Sequence, residues 1–290
     1  LGLAVSGGAD SLALLLLATA TLPGRVEVAT VNHGLRSESA DEAAMVARVC
    51  AELAVPHEVL PVTLAPGNLQ HRARVARYAA LGEWCERRGL VALATAHQLD
   101  DQAETLAMRL NRGSGLAGLA GVRARSTVSG DGLPLLRPLL DWRRAELANI
   151  VAEAGLEPAQ DPSNEDERFD RVQVRRALAE ADWLDPKGLA GSAAHLAEAE
   201  RFVGEQIAAM AGTRLRAIDG GYALDPPPSD FAAAELCALI IAKLDAAPRR
   251  GEVAALVARL RRGENASLGG VLARVAGAEW VFAPEPPRSR

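Results

Sequence analysis

The chain has 290 residues and a formal net charge of −5, with 49% hydrophobic, 24% charged and only 3% aromatic residues. Such a composition excludes a disordered polymer and supplies an aliphatic core for one large domain or two ordinary ones. The acidic balance weighs against a uniformly basic nucleic-acid binder, although arginines cluster at 72–77, at 168–176 and at 249–262.

In chain order, residues 1–5 read as a strand, 11–19 as a helix and 26–31 as a second strand. Ser39-Ala40-Asp41-Glu42 has the capping-box pattern that opens a helix to about Leu53. A third strand is expected at 57–62, a long amphipathic helix at 70–88 and a fourth strand at 91–95. This alternation predicts βαβ units and an α/β, doubly wound, mostly parallel sheet. A helix from Asp100 or Asp101 to Leu110 ends in "NRGSGLAGLAG". The GxGxxG inside it, Gly113 to Gly118, follows a helix and not a strand, so it reads as a loop and not as a dinucleotide site. "PLLRP" at 134–138 leads to a helix at 142–154, and "DPSNEDERFDRVQVRR" at 161–176 runs from a polar loop into a basic helix.

Residues 189–211 are helical in pattern, a short strand is expected near 222–224, and helices at 231–244 and 251–260 precede a closing segment that alternates like a hairpin. The expected division is therefore 1–185 for a catalytic domain and 186–290 for a smaller, mostly helical region. Cys50, Cys85 and Cys237 are widely spaced and odd in number, which predicts neither a disulfide framework nor a CxxC metal pair and fits a cytoplasmic protein. No membrane segment is expected. The chain opens at Leu1 inside a predicted strand, so some native N-terminus is expected to precede it.

Three polar segments fall at the carboxyl ends of the predicted parallel strands, where such sheets bind ligands. "SGGADS", Ser6 to Ser11, places two glycines and two hydroxyls ahead of a helix, a pattern suited to cradling an anion on backbone amides. A plain strand–helix turn is the competing reading of that stretch alone. "NHGLR" puts His33 and Arg36 beyond the second strand, where a nucleotide base or ribose lies in doubly wound sheets; a polar loop is the alternative. "AHQLDDQAET" packs His97, Asp100, Asp101 and Glu104 together. Adjacent carboxylates at a strand end suit magnesium, whereas acids in a first helical turn also answer the helix dipole. Arg74 and Arg77, at i and i+3 on one helix face, are placed to grip phosphates or to face solvent. The GxxxxGK signature of the common phosphate loop is missing, so a phosphate site here belongs to another class.

"SGGADS" resembles the SGGxDS pyrophosphate loop of the N-type ATP pyrophosphatases (PP-loop superfamily). "VNHGLR", "ARVARY", "TAHQLDDQAET", "NRGSGLAGLAG", "LLRPLL" and "DPSNEDERFDRVQVRR" are similar, in order, to the motifs of one branch, the tRNA(Ile)-lysidine synthetase family. The resemblance covers residues 1–177. It departs where Val172 follows Arg171 in place of the family's asparagine. It implies a ligase in which the C2 oxygen of the wobble cytidine of a CAU-anticodon tRNA(Ile) attacks the α-phosphate of ATP. The ε-amine of free L-lysine then displaces AMP to give lysidine. It further implies Ser6, Gly7, Gly8, Ala9, Asp10, Ser11, His33 and Arg36 as ATP-binding residues and Asp10 and Asp101 as ligands of Mg2+. Asp10, Arg74, His97 and Asp101 are the implied catalytic set, and Arg171, Arg175 and Arg176 the implied tRNA contacts. The sequence leaves homodimer formation open. Competing expectations are a sibling tRNA thiolase, which the lack of CxxC disfavours, a synthetase that adenylates a small metabolite, and a nucleotide-binding module without catalysis.

Overall fold

The computed structural model describes residues 1–32, 38–62, 69–128, 132–159, 170–244, 246 and 248–285. They form two compact units, Leu1–Glu198 and Ala199–Arg290.

The first unit is built on a six-stranded sheet. Strands β1 (Gly2–Ala4), β2 (Glu27–Asn32), β3 (His57–Pro61), β4 (Leu93–Ala94) and β6 (Pro134–Leu136) run parallel, while β5 (Arg125–Thr127) pairs antiparallel with β6 at one edge. The edge strand β5 is absent from the sequence reading, because its three residues carry no alternation beyond Arg-Ser-Thr. The order β3-β2-β1-β4-β6-β5 reverses direction between β1 and β4. That reversal leaves a crevice beyond the carboxyl ends of β1 and β4, the place where open α/β sheets take their ligands.

Strand pleating sorts the core onto two faces. Leu3, Val5, Val28 and Ala94 pack with Leu12, Leu14 and Leu15 of α1 (Ala9–Thr21), Val46, Val49 and Cys50 of α2 (Glu38–Glu52), and Leu147 and Val151 of α6 (Arg144–Glu153). On the other face Ala29, Leu60, Leu93 and Leu135 meet Tyr78, Leu81, Trp84 and Cys85 of α3 (Leu69–Arg87). Gly2 belongs to that second face, and a Cβ there would stand 2.8 Å from Trp84. Helix α2 starts at Glu38, one residue ahead of the expected Ser39 cap.

Helix α4 (Leu99–Asn111) follows β4, and Gly113, with φ +64°, turns the chain out of it into the short α5 (Leu116–Leu119); GxGxxG follows a helix as expected, but its second half is helical where a loop was expected. Helix α7 (Asp170–Glu180) packs against α4. Helix α8 (Pro186–Arg214) runs from the first unit into the second.

In the second unit the closing hairpin is β10 (Val271–Ala276) with β11 (Glu279–Pro284). Strands β7 (Leu215–Ile218), β8 (Gly221–Leu224) and β9 (Ala266–Leu268) extend it to an antiparallel sheet of order β7-β8-β11-β10-β9. Leu236, Ile240 and Ile241 of α9 (Asp230–Lys243) and Val253, Leu256 and Val257 of α10 (Arg250–Arg261) bury Ala273, Trp280 and Phe282 against it. No described helix is long and apolar enough to cross a membrane.

Candidate active site

The turn after β1 is shaped by one hydroxyl. Ser11 Oγ accepts from the amides of Ser6 and Gly7, each at 3.2 Å, and donates to the Gly8 carbonyl at 2.9 Å. Gly7 sits at φ +94°, a conformation open to glycine, and its carbonyl accepts from the Ala159 amide at 3.0 Å. Gly8 is extended at the N-cap of α1 and offers no side-chain cap. Among the described residues the amides of Gly8, Ala9 and Asp10 therefore meet no protein acceptor. They stand at the positive end of the α1 dipole, which makes the turn an anion cradle. Ser11 holds the loop's shape from inside it.

Across the switch point, Gln98 caps α4. Its Oε1 accepts from the amides of Asp100 and Asp101, and Asp101 Oδ2 returns the bond to the Gln98 amide at 3.1 Å. This cap turns Asp101 toward Asp10. Burial pushes the Asp10 carboxyl up to about 6; Arg144 opposes that rise, while the nearby Asp101 carboxylate adds to it. Burial also raises Asp101, against Arg171, and Glu104 adds to the rise. Asp10 Oδ1 is buried with no hydrogen-bond partner among the described residues. Two mutually repelling carboxylates, one with an orphaned oxygen, fit a divalent cation beside a phosphate cradle. Magnesium needs no third protein acid when phosphate oxygens complete its shell; among the described residues no group of three candidate ligands occurs.

The acids of "AHQLDDQAET" divide their work. Asp100 faces away from the crevice into Arg143, whose Nε and Nη2 reach Oδ1 at 3.1 and 2.9 Å, and it accepts from the Arg144 amide at 2.8 Å. Burial alone would raise Asp100, but these bonds hold it below the usual carboxylate range. Glu104 is 1% exposed and takes Arg144 at 3.0 Å, Arg171 at 2.8 Å and Arg175 at 2.8 Å. Burial works against its charge, and the guanidinium bonds, Arg175 first, overcome it and lower its pKa. Arg144 and Arg171 also approach Asp101 Oδ1, at 3.7 and 3.5 Å. Arg171 and Arg175 share a face of α7 at i, i+4 spacing, matched to one acid on α4. That spacing was visible in the sequence; its partner was not.

His97, at the end of β4, bonds Thr95 Oγ1 through Nδ1 at 3.0 Å. Burial and then the positive charges of Arg137, Arg74, Arg171 and Arg77 push its pKa down to about 3, so the ring is neutral at physiological pH. Arg74 and Arg77 lie 5.1 and 5.2 Å from the centroid of the Tyr78 ring. The structure thus gathers the Ser6–Ser11 loop, Asp10, Asp101 and His97 at one crevice, with Arg74 bearing on His97. His33 and Arg36 lie outside the described residues, as does the loop ahead of α7. Gln98, Arg143 and Arg144 were not among the expected site residues: the two arginines meet their acids only through the fold, whereas the Gln98 cap is local, to amides two and three residues on.

Residues 1–182 match the family model of the PP-loop domain. The chain is 47% identical over 289 residues to the tRNA(Ile)-lysidine synthase of Novosphingobium aromaticivorans, covering 98% of this chain and 88% of that protein. It is 38% identical over 300 residues to the tRNA(Ile)-lysidine synthase of Zymomonas mobilis, covering 100% of this chain and 90% of that protein. Among solved structures, the U34-tRNA thiolase NcsA from Methanococcus maripaludis is similar in fold, with a TM-score of 0.56, 19% identity, and 68% of this chain and 70% of that chain covered. Similarity of this extent, on a chain whose phosphate cradle lies at the switch point of its sheet, shows that it belongs to the tRNA(Ile)-lysidine synthase family of PP-loop proteins.

Proposed function

We propose that this chain uses ATP and free lysine to convert the wobble cytidine of a CAU-anticodon tRNA(Ile) to lysidine. The observation that carries the reading is the cradle of free amides at Gly8, Ala9 and Asp10, facing Asp101 across the switch point. The two steps each need one leaving group. Cytosine O2 attacks the α-phosphate, and the bond to pyrophosphate breaks. The lysine ε-amine then attacks C2, the C2–O bond to AMP breaks, and the amine gives up a proton.

The cradle amides hold pyrophosphate as its charge develops, and being fixed in advance they need no reorganisation. Asp10 and Asp101 would hold Mg2+, which supplies charge neutralisation on the phosphate oxygens. Neutral His97 donates or accepts a hydrogen bond near the α-phosphate without adding charge, and Arg74 adds it. For the RNA, Arg171 and Arg175 offer what Glu104 leaves exposed, together with Arg176, as contacts that position without reading sequence. Three buried thiols fit a reducing cytoplasm.

The direct test is incorporation of labelled lysine into tRNA by the purified chain with ATP and Mg2+. Label is expected in an isoleucine tRNA bearing CAU and not in a methionine tRNA bearing CAU. Pyrophosphate release with no lysine incorporated would redirect the reading to another acceptor. The cradle has its own test. Gly7→Ala puts a Cβ at φ +94° and 3.0 Å from Met45 Cε, a strain of about 1–3 kcal/mol. It is expected to lower pyrophosphate release at least tenfold, read against the melting temperature of the same variant.

A further inference from the structure

Among the described residues five buried side-chain polar atoms lack a hydrogen-bond partner, and two of them, Asp10 Oδ1 and Gln98 Nε2, belong to the crevice already described. Arg137 Nε and Tyr78 Oη make a second pair. Arg137 follows β6 directly and is 7% exposed, as is Tyr78. Its Nη1 donates to the Arg123 carbonyl at 2.6 Å and to Ser126 Oγ at 3.0 Å, and its amide donates to the Ala124 carbonyl at 2.9 Å. These bonds pin one side of the guanidinium to the β5 edge. On the other edge Nε is buried with no hydrogen-bond partner among the described residues, and the Tyr78 hydroxyl lies beside the guanidinium. That edge is the fork with which arginine grips two oxygens at once.

Among the described residues the surroundings carry no counter-charge. Burial lowers the Arg137 pKa, Tyr78 raises it, in part through a side-chain hydrogen bond, and Arg74 lowers it; no carboxylate contributes. Arg74 and Arg77 stack on Tyr78 and form no ion pair among the described residues. This contrasts with the α4 side of the crevice, where Arg143, Arg144, Arg171 and Arg175 each meet an acid. A buried guanidinium with an unpartnered Nε and no acid among the described residues is costly unless an anion completes it. A carboxylate would be filled by one fork. The additional hydroxyl and two further guanidiniums suit the greater charge and oxygen number of a phosphate.

We propose that Arg137 Nε, with the Tyr78 hydroxyl beside it and the guanidiniums of Arg74 and Arg77, seats a phosphate group separate from the loop that holds the leaving pyrophosphate. It lies at the end of β6, one strand beyond the switch point. The group comes from one of two sources, the α-phosphate of the nucleotide or the RNA phosphodiester beside the wobble cytidine. The assignment of those sources rests on the lysidine reading; the phosphate chemistry does not.

The experiment measures binding of AMP and of adenosine, and separately of an anticodon stem-loop RNA, to the full chain and to Arg137→Lys and Tyr78→Phe. For an α-phosphate seat, AMP binds the unmodified chain at least tenfold more tightly than adenosine, Arg137→Lys cuts that ratio at least fivefold and Tyr78→Phe about threefold. For an RNA phosphate, the AMP ratio holds and stem-loop affinity falls by the same factors. Ser126→Ala, which removes only a partner of the pinned side, lowers the melting temperature and moves neither ratio. The proposal is overturned if both folded variants keep the AMP ratio and the RNA affinity, or if only the KM for lysine changes. Should Arg137→Lys not fold, Tyr78→Phe decides alone. A chain that binds no ATP sinks the ligase reading, and the RNA arm still settles the phosphate seat.

Discussion

Asp10→Asn is expected to abolish pyrophosphate release and, in the same protein, to raise thermal stability at pH 8 in the presence of a chelator. The two effects have one cause. The fold lifts the Asp10 carboxyl from an ordinary value of 3.8 to about 6, because burial outweighs the opposing charge of Arg144 and the hydrogen bond with Gln98. A group raised on folding favours the fold while it is protonated, and that contribution is lost as pH rises from about 4 through 6. Above pH 6 the wild-type chain therefore carries an ionised, poorly solvated acid. The full linkage would be about 3 kcal/mol at 1.36 kcal/mol per unit; partial exposure of the side chain reduces this to about 1–2 kcal/mol. Asparagine removes the charge and keeps the shape, so its melting temperature should exceed the wild type's by roughly 2–5 °C at pH 8. The gap should close at pH 5 and below. Saturating Mg2+ and ATP should narrow it from the other side, by stabilising the wild type alone. A variant that melts below wild type at pH 8, or that still releases pyrophosphate, would remove Asp10 from the cation site.

The trade visible at Asp10 also explains what the sequence could and could not reveal. The parallel sheet was legible because each apolar run is short and separated by a helix-length segment, and the glycines of Ser6–Ser11 break the first run where a strand must turn into α1. The carboxyl-end rule then brings Ser6–Ser11 and His97–Glu104 to one edge. What stayed hidden were relationships between distant residues of opposite sign. Asp100 and Asp101 are adjacent and look equivalent, yet one feeds Arg143 and the other faces Asp10, since successive residues of a helix point to different sides. Strands β7 and β9 of the second unit were hidden for a different reason. They are three or four residues long and border polar turns, so too few positions exist to show a period of two. The arginines of α7 were legible as a cluster but not as half of an ion-pair network.

That network carries the second large effect. Helix α7 buries none of its residues, so apolar packing contributes little to its attachment. Its hold on α4 runs through Arg171 and Arg175 to Glu104, with Arg112 reaching Asp170 at the surface. Four carboxylates, Asp10, Asp100, Asp101 and Glu104, stand among four guanidiniums, Arg143, Arg144, Arg171 and Arg175. Glu104→Ala removes the most buried acid and leaves three guanidiniums without their shared acceptor. Breaking a buried pair costs about 3–5 kcal/mol; the arginines keep partial exposure, so a loss of about 2–3 kcal/mol is expected here. Glu104→Gln, which keeps one acceptor and the side-chain volume, should cost less. Hydrogen exchange locates the damage: amides of α7 should exchange far faster in Glu104→Ala, while those of α1, packed on the sheet, change only with global stability. The pH response has the opposite sign to that of Asp10. The Glu104 pKa is lowered on folding from an ordinary 4.5, so its contribution is present above that value and is lost as pH falls through the folded one. Wild type and Glu104→Ala should therefore converge in acid, where wild type and Asp10→Asn also converge, and diverge in opposite directions at pH 8. Because Arg171 also bears on Asp101 and His97, loosening α7 should lower turnover even with the phosphate cradle intact. AMP binding that survives in Glu104→Ala while lysine incorporation falls would place the network in support of chemistry, whereas equal loss of both would place it in support of the crevice as a whole.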